Sequence, residues 1–152
     1  MSVKMTISAH VARNAAMYLI DTNVLSEARK GRRCNPGVMD FFRLTSKHNL
    51  FIAAQTVGEI RCGLENLRYR GRSMDAARLE AWLDLILNDY ADRQLSFDIE
   101  CAQVWGRLMC PQPQHIIDKQ IAAIALVYDL TVVTRNISDF LSTGVRLQNP
   151  FV

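Results

Sequence analysis

Short runs rich in β-branched and aromatic residues alternate with longer amphipathic stretches along this chain, and that alternation restricts its fold more than any other feature. The runs fall at residues 17–20, 50–54, 95–97, 131–134 and 145–147. Helical periodicity occupies the spaces between them. Val57, Ile60, Leu64 and Leu67 recur at helical spacing over 56–69, and Leu79, Trp82, Leu83, Ile86 and Leu87 do so over 74–90. These two segments predict a helical hairpin turning at Gly71. Asp98 is placed to cap a helix running to Met109, which Pro111 and Pro113 end. Residues 118–128 form the most apolar helix, and both of its faces read as covered. Shorter helices are expected from about Asn23 and over 38–45, with a loop at 30–37 carrying Gly and Pro between them. Residues 138–142 read as a turn or a single helical turn. Strands that alternate with helices in this way form a parallel sheet, so the expected fold is α/β.

In a parallel sheet the carboxyl ends of the strands gather at one rim, where ligands bind. Four acids lie where apolar runs end. Asp21 closes the first run, Glu59 lies one helical turn past the second, Asp118 opens the most apolar helix, and Asp139 follows the 131–134 run. Each also has an ordinary structural reading. Asp21 and Asp118 suit helix N-caps, Glu59 suits a solvated partner for Arg61 or Arg68, and Asp139 suits an Asx-type turn. Glu59 is expected in the first turn of its helix, where the dipole favours negative charge, with Gly58 leaving space beside it. If all four share one pocket they repel: two unit charges about 4 Å apart cost roughly 4 kcal/mol at an effective dielectric near 20. A divalent cation is the natural neutraliser, and oxygen ligands suit Mg2+ or Mn2+.

Composition narrows the remaining classes. The 152 residues fit one domain and are 49% hydrophobic and 22% charged, which argues against disorder. No apolar stretch approaches the roughly 18 residues of a membrane span, so a cytoplasmic location is expected. Residues 1–16 carry Lys4, His10 and Arg13, no acid, and no continuous apolar core of a secretory signal. They are expected to be an N-terminal extension outside the fold, arising from an alternative upstream start with Met17 the native one, and 17–152 is expected to be a single domain. Cys34, Cys62, Cys101 and Cys110 show no C-x-x-C spacing, so they read as free thiols, with Cys62 and Cys101 partly buried in helices. The net charge of +3 understates the basicity of the outer surface if four acids are withdrawn to a metal site. A basic exterior around an acidic pocket suits a polyanion, and a solvated basic surface is the plainer account. Arg61, Arg68, Arg70 and Arg72, with Arg78 just beyond, read either as a solvated helix face or as an edge that tracks phosphates. His115 reads as a surface histidine, Asp98 as an N-cap or an accessory acid, and Trp82 and Trp105 as core or interface residues.

Taken together, the motifs resemble those of the PIN-domain nucleases, and most closely the VapC-type ribonuclease toxins of toxin–antitoxin pairs. The opening motif is Tyr18-Leu19-Ile20-Asp21-Thr22-Asn23-Val24-Leu25-Ser26-Glu27, and the second is Thr56-Val57-Gly58-Glu59-Ile60-Arg61-Cys62-Gly63-Leu64. The third and fourth are Asp118-Lys119-Gln120-Ile121-Ala122-Ala123-Ile124-Ala125 and Leu130-Thr131-Val132-Val133-Thr134-Arg135-Asn136-Ile137-Ser138-Asp139-Phe140. The resemblance implies a PIN-like three-layer sandwich with a central parallel sheet and helices on both faces. It implies that Asp21, Glu59, Asp118 and Asp139 are the catalytic, metal-binding quartet. Asn23, Ser26, Thr134 and Asn136 match positions that support the metal site or the substrate phosphate, and Arg135 matches a position that contacts RNA. It further implies a homodimer and a cognate antitoxin whose tail covers the pocket.

The chemistry expected of such a site is metal-dependent endoribonuclease cleavage. Water on the metal loses a proton readily, attacks phosphorus in line with the leaving 3′-oxygen, and leaves 5′-phosphate and 3′-hydroxyl ends. The 2′-hydroxyl takes no part, so RNA preference must come from contacts outside the catalytic centre. A non-catalytic PIN-like module that binds RNA or protein is the second reading. An aspartate phosphotransfer domain fits less well, because the dehalogenase type wants a second Asp where this chain has Asn23. There is no Walker loop, G-x-G-x-x-G or G-x-S-x-G.

Overall fold

The computed structural model describes residues 16–152. The expected N-terminal extension lies outside the described residues except for Ala16. Five strands form one sheet: β1 (Tyr18–Ile20), β2 (Leu50–Ala53), β3 (Gln94–Leu95), β4 (Thr131–Val133) and β5 (Leu147–Gln148). Their order is β3-β2-β1-β4-β5 and every pairing is parallel. Seven α-helices connect and flank them: α1 (Thr22–Ala28), α2 (Pro36–Leu44), α3 (Ala54–Tyr69), α4 (Ser73–Asp89), α5 (Ile99–Leu108), α6 (Ile116–Tyr128) and α7 (Ile137–Phe140). None of the described helices is long and apolar enough to cross a membrane.

Successive residues of the strands feed opposite faces, as the period of two requires. Leu19, Phe51 and Val132 pack with Cys101, Ile121, Ile124 and Ala125 of α5 and α6 on one side. Ile20, Ile52 and Val133 pack with Val24, Leu25, Val38, Phe41 and Tyr90 of α1, α2 and the end of α4 on the other. Both faces are therefore covered, which explains why the strands read as continuous apolar runs. The α3–α4 hairpin adds a small core of its own from Ile60, Leu64 and Leu83. Its arginines settle into a solvated ion-pair network: Arg61 and Arg68 both reach Glu65 and Glu80, and Arg72 pairs with Asp75. Arg93, buried beside the hairpin's end, donates to the carbonyls of Lys47, Leu50 and Asp89, so its charge is well partnered.

Several boundaries differ from the sequence reading for physical reasons. Pro36 and Gly37 begin α2 rather than ending a loop. Asn35 caps it by accepting the Gly37 N–H at 3.0 Å, and proline at the first helical position surrenders a donor that would be unpaired anyway. The loop before it also holds a short 3₁₀ turn, Gly31–Arg33. The edge strands slide by one or two residues, to Gln94–Leu95 and Leu147–Gln148, where pairing with β2 and β4 fixes register. Cys101 is buried as expected, but Cys62 is exposed on α3. Asp98 caps α5 by accepting the Cys101 N–H at 3.0 Å.

Candidate active site

The chain builds β1, β2 and β3 on one side of the sheet and β4 and β5 on the other. The reversal falls between β1 and β4, and the crevice outside the carboxyl ends of such a pair is where open α/β sheets bind ligands. Asp21 follows β1 and Thr134 follows β4, and the sheet ladder ties them together, with the Asp21 N–H donating to the Val133 carbonyl at 2.9 Å.

Asp21 is 4% exposed and also serves as the N-cap of α1, so its structural and pocket readings coexist. One carboxylate oxygen accepts the Thr22 N–H at 2.9 Å. The other accepts the Thr134 hydroxyl at 2.8 Å and the Asn23 amide at 3.1 Å. Burial raises its pKa above the ordinary value; these hydrogen bonds pull the other way, and the charge of Asp139 adds to the rise. The buried Thr134 hydroxyl in turn accepts from the Asn23 amide at 3.3 Å and the Asn136 N–H at 3.0 Å. The Asn23 side-chain Oδ1 accepts the Arg135 N–H at 3.0 Å. Asn23 and Thr134 thus stitch the loop after β4 to the start of α1.

Glu59 reaches the crevice from α3. The helix begins at Ala54, so Glu59 stands in its second turn rather than its first, and the dipole argument for that position falls away. Its carboxylate accepts the Thr22 hydroxyl at 2.9 Å. Loss of hydration raises its pKa, and the charges of Asp21 and Asp118 add to that despite the Thr22 bond. A Cβ at Gly58 would meet nothing within 4 Å, so the space beside Glu59 is open.

Asp118 is not a cap. Helix α6 starts two residues earlier than its sequence suggested, and His115 occupies the N-cap position without a side-chain bond to it. Asp118 therefore projects from the first turn, half-buried, and its carboxyl is pushed up to about 6 by burial and by the charges of Asp21 and Asp139, with His115 opposing. Asp139, in the first turn of α7, has its carboxylate 3.5 Å from the Ser138 hydroxyl. The four acids come from four different helices and their starts, and electrostatic coupling links them: Asp21 to Asp139, Glu59 to Asp21 and Asp118, Asp118 to Asp139.

The structure also brings in a residue that sequence reading set aside. His115 adopts a left-handed backbone, φ 55° and ψ 53°, that turns it back toward the acids. Its Nδ1 lies 3.9 Å from an Asp139 oxygen, and potential ligand atoms of His115, Asp118 and Asp139 all lie within 4.8 Å of one another. Its place three residues before Asp118 was the only hint in the sequence. Ser26 goes the other way: it sits a turn further along α1, makes no hydrogen bond to the four acids, and lines a separate groove with Arg29, Lys30 and Arg33. Asn136 contributes its backbone N–H to the network, and the Arg135 guanidinium lies over the Phe151 ring, 5.0 Å from its centroid.

A donor set of four carboxylates and one imidazole is oxygen-rich and suits a hard divalent cation. Burial, and then the charges of Asp21 and Asp139, raise the Asp118 carboxyl, and the ligand atoms of His115, Asp118 and Asp139 lie close together, so these residues fit such an ion.

An acidic crevice at the switch point of a five-stranded parallel sheet with helices on both faces defines an α/β protein with an acidic strand-end pocket. The PIN domain family model matches residues 18–143, and the chain belongs to that family. It is 34% identical over 140 residues to Plasmid stability protein StbB of Pseudomonas syringae pv. tomato, covering 89% of this chain and 99% of that protein. It is 31% identical to Toxin FitB of Neisseria gonorrhoeae, over 89% and 99% of the two chains. It is 30% identical to VapC ribonuclease Y4jK of Sinorhizobium fredii, over 89% and 98%. The crystal structure of FitAcB from Neisseria gonorrhoeae superposes with a TM-score of 0.77 at 30% identity, covering 88% of this chain and 98% of that one.

Proposed function

We propose that this chain is a divalent-metal-dependent endoribonuclease that acts as the growth-inhibiting toxin of a toxin–antitoxin pair. The observation that carries the reading is the meeting of Asp21, Glu59, Asp118 and Asp139 in one crevice, where burial and mutual repulsion raise Asp21, Glu59 and Asp118 together. Similarity to Toxin FitB and to VapC ribonuclease Y4jK supports it. The partners that go with it are an RNA substrate, a cognate antitoxin and a second copy of the chain.

The four acids, with His115 beside Asp118 and Asp139, would hold Mg2+ or Mn2+. When bound, the ion supplies the missing positive charge, activates water and stabilises charge on the leaving oxygen. The chain's own work is orientation. Thr134 commits its hydroxyl proton to Asp21, and Asn23 donates to the same oxygen, so that carboxylate is fixed before any ligand arrives. Thr22 does the same for Glu59. Preorganised ligands of this kind avoid reorganisation at the moment of reaction. Asn136 and Arg135, whose backbone N–H groups tie the loop after β4 to Thr134 and Asn23, would meet the substrate backbone at the rim. Hydrolysis joins the water oxygen to phosphorus and breaks the bond to the 3′-oxygen, which takes the proton. The ends are then 5′-phosphate and 3′-hydroxyl.

The test is RNA cleavage by the purified chain in Mg2+ or Mn2+ against Asp118→Asn, with folding followed by circular dichroism. Asp118→Asn should lose cleavage and keep its fold. Full activity in that variant, or equal cleavage by the wild type in excess chelator, would refute the assignment. A wild type that binds no divalent ion would favour the non-catalytic module.

A further inference from the structure

Beyond the acids, α1 and the turn after it carry a patch of opposite charge. Thr22 and Ser26, four residues apart, start a stripe on one face of α1 that Arg29 and Lys30 continue in the turn just past its end. The stripe starts at the acidic crevice, where Thr22 binds Glu59, and ends in a groove of about 370 Å³ lined by Ser26, Arg29, Lys30 and Arg33. Gly31, at φ 60°, turns the chain after α1 so that Arg33 joins the same groove. Arg135 stands toward the inner end: its N–H is held by Asn23, and its charge acts on Glu27 of α1. Of these cations, Lys30 and Arg135 act on the Glu27 carboxylate. Glu27 is kept ionised first by Lys30, 2.6 Å away, and then by the Asn35 N–H. The Arg29 guanidinium lies over the Trp82 ring at 5.7 Å, an arrangement that leaves its in-plane N–H groups free to bind an anion. Arg33 makes no ion pair among the described residues.

We propose that this groove holds the backbone of single-stranded RNA to one side of the scissile phosphate, with Ser26, Arg29, Lys30 and Arg33 binding successive phosphodiesters and Arg135 guiding the strand in. The proposal rests on the nuclease reading and extends it to substrate binding. Six residues of helical rise along α1, about 9 Å, bring the stripe to the turn that carries Arg29 and Lys30, so the whole is on the scale of a few nucleotides of backbone. The spacing also meets a need of the acidic crevice, which repels every phosphate except one shared with a cation. Binding energy for the rest of the strand must come from positive charge close by but outside it. This assigns Ser26 to the substrate backbone rather than to the metal site.

The experiment measures anisotropy of a fluorescein-labelled oligouridylate of about 12 nucleotides in magnesium buffer across a salt series, with all proteins in the Asp118→Asn background so that the strand stays intact. R29A/K30A/R33A should bind at least tenfold more weakly, and the slope of log Kd against log salt should fall by about 2, the value for three lost contacts at roughly 0.7 each. Arg70→Ala, on the hairpin turn, should stay close to the parent. In case the triple variant unfolds, Arg33→Glu alone should weaken binding severalfold. Unchanged affinity and slope in the variants would overturn the proposal. So would intact RNA binding with lost binding of polyglutamate, which would assign the groove to an acidic protein segment. With Asp118 restored, the triple variant should cleave with raised KM and little change in kcat. If the wild type cleaves nothing, the nuclease reading falls, and the anisotropy series still decides whether the groove binds RNA.

Discussion

Thr134 does more for the pocket than a neutral side chain suggests. Its hydroxyl sits at the centre of three hydrogen bonds, one donated to Asp21 and two accepted, from Asn23 and the Asn136 N–H. Thr134→Val keeps the shape and deletes all three, leaving a buried carboxylate without its closest donor. Partners that orient metal ligands typically matter by 10- to 100-fold in affinity. Calorimetric titration with Mn2+ should therefore show weaker binding by about that factor, with the secondary structure unchanged. Equal affinity in the variant would mean that Asp21 is oriented by its backbone alone. At this scale the sequence marked the acids by their positions after apolar runs. It gave almost no sign of His115, because a left-handed φ of 55° at a helix cap depends on how the preceding loop is held. Lys119 is part of that hold: it is 3% exposed and its ammonium donates to the Gln112 carbonyl at 2.5 Å.

Among the elements, α2 depends on contacts that no local signal announces. Its cap residue Asn35 also binds the end of the chain, donating to the Val152 carbonyl at 2.9 Å and accepting the Val152 N–H at 3.2 Å. That leaves no room at the next turn: a Cβ on Gly37 would lie 2.1 Å from the Pro150 carbonyl oxygen. Gly37→Ala must push the tail or the helix start aside. Overpacking of this kind costs about 1–3 kcal/mol, to be read as a lower midpoint in urea denaturation with the slope retained. A midpoint equal to or above the wild type would show that the tail yields freely. Pro36 and Gly37 by themselves signal a loop. Both residues are common in turns, and only the cap and the tail make them the start of a helix. The long helices were legible throughout, since their apolar residues repeat within each segment.

For the whole molecule, the pocket makes stability depend on pH and on cations. Asp118 has an ordinary pKa of 3.8 and a folded value of about 6. Between those values the unfolded chain releases its proton while the folded chain keeps it. The folded state therefore binds more protons, and its stability falls as pH rises through this window and levels off above it. Asp21 and Glu59 are raised as well and act in the same direction. In chelator, the urea midpoint of the wild type should drop relative to Asp118→Asn between about pH 4 and pH 7, and Asp118→Asn should be the more stable protein at neutral pH. Adding Mn2+ should reverse that order, because the cation offsets the repulsion the substitution removes. A difference between the two proteins that ignores pH would contradict the raised carboxyl.

The sequence alone determined the alternation of strands and helices and the acids at the ends of apolar runs. These follow from periods of two and 3.6 residues, which act over a few neighbours and need no knowledge of the rest. The tertiary structure decided which of those residues meet. Only the order β3-β2-β1-β4-β5 sets β1 beside β4, and only then does the Thr134 hydroxyl reach Asp21 across 113 residues of chain. Strand order is fixed by burying both faces of the sheet at once, a condition on the whole chain that no single segment expresses.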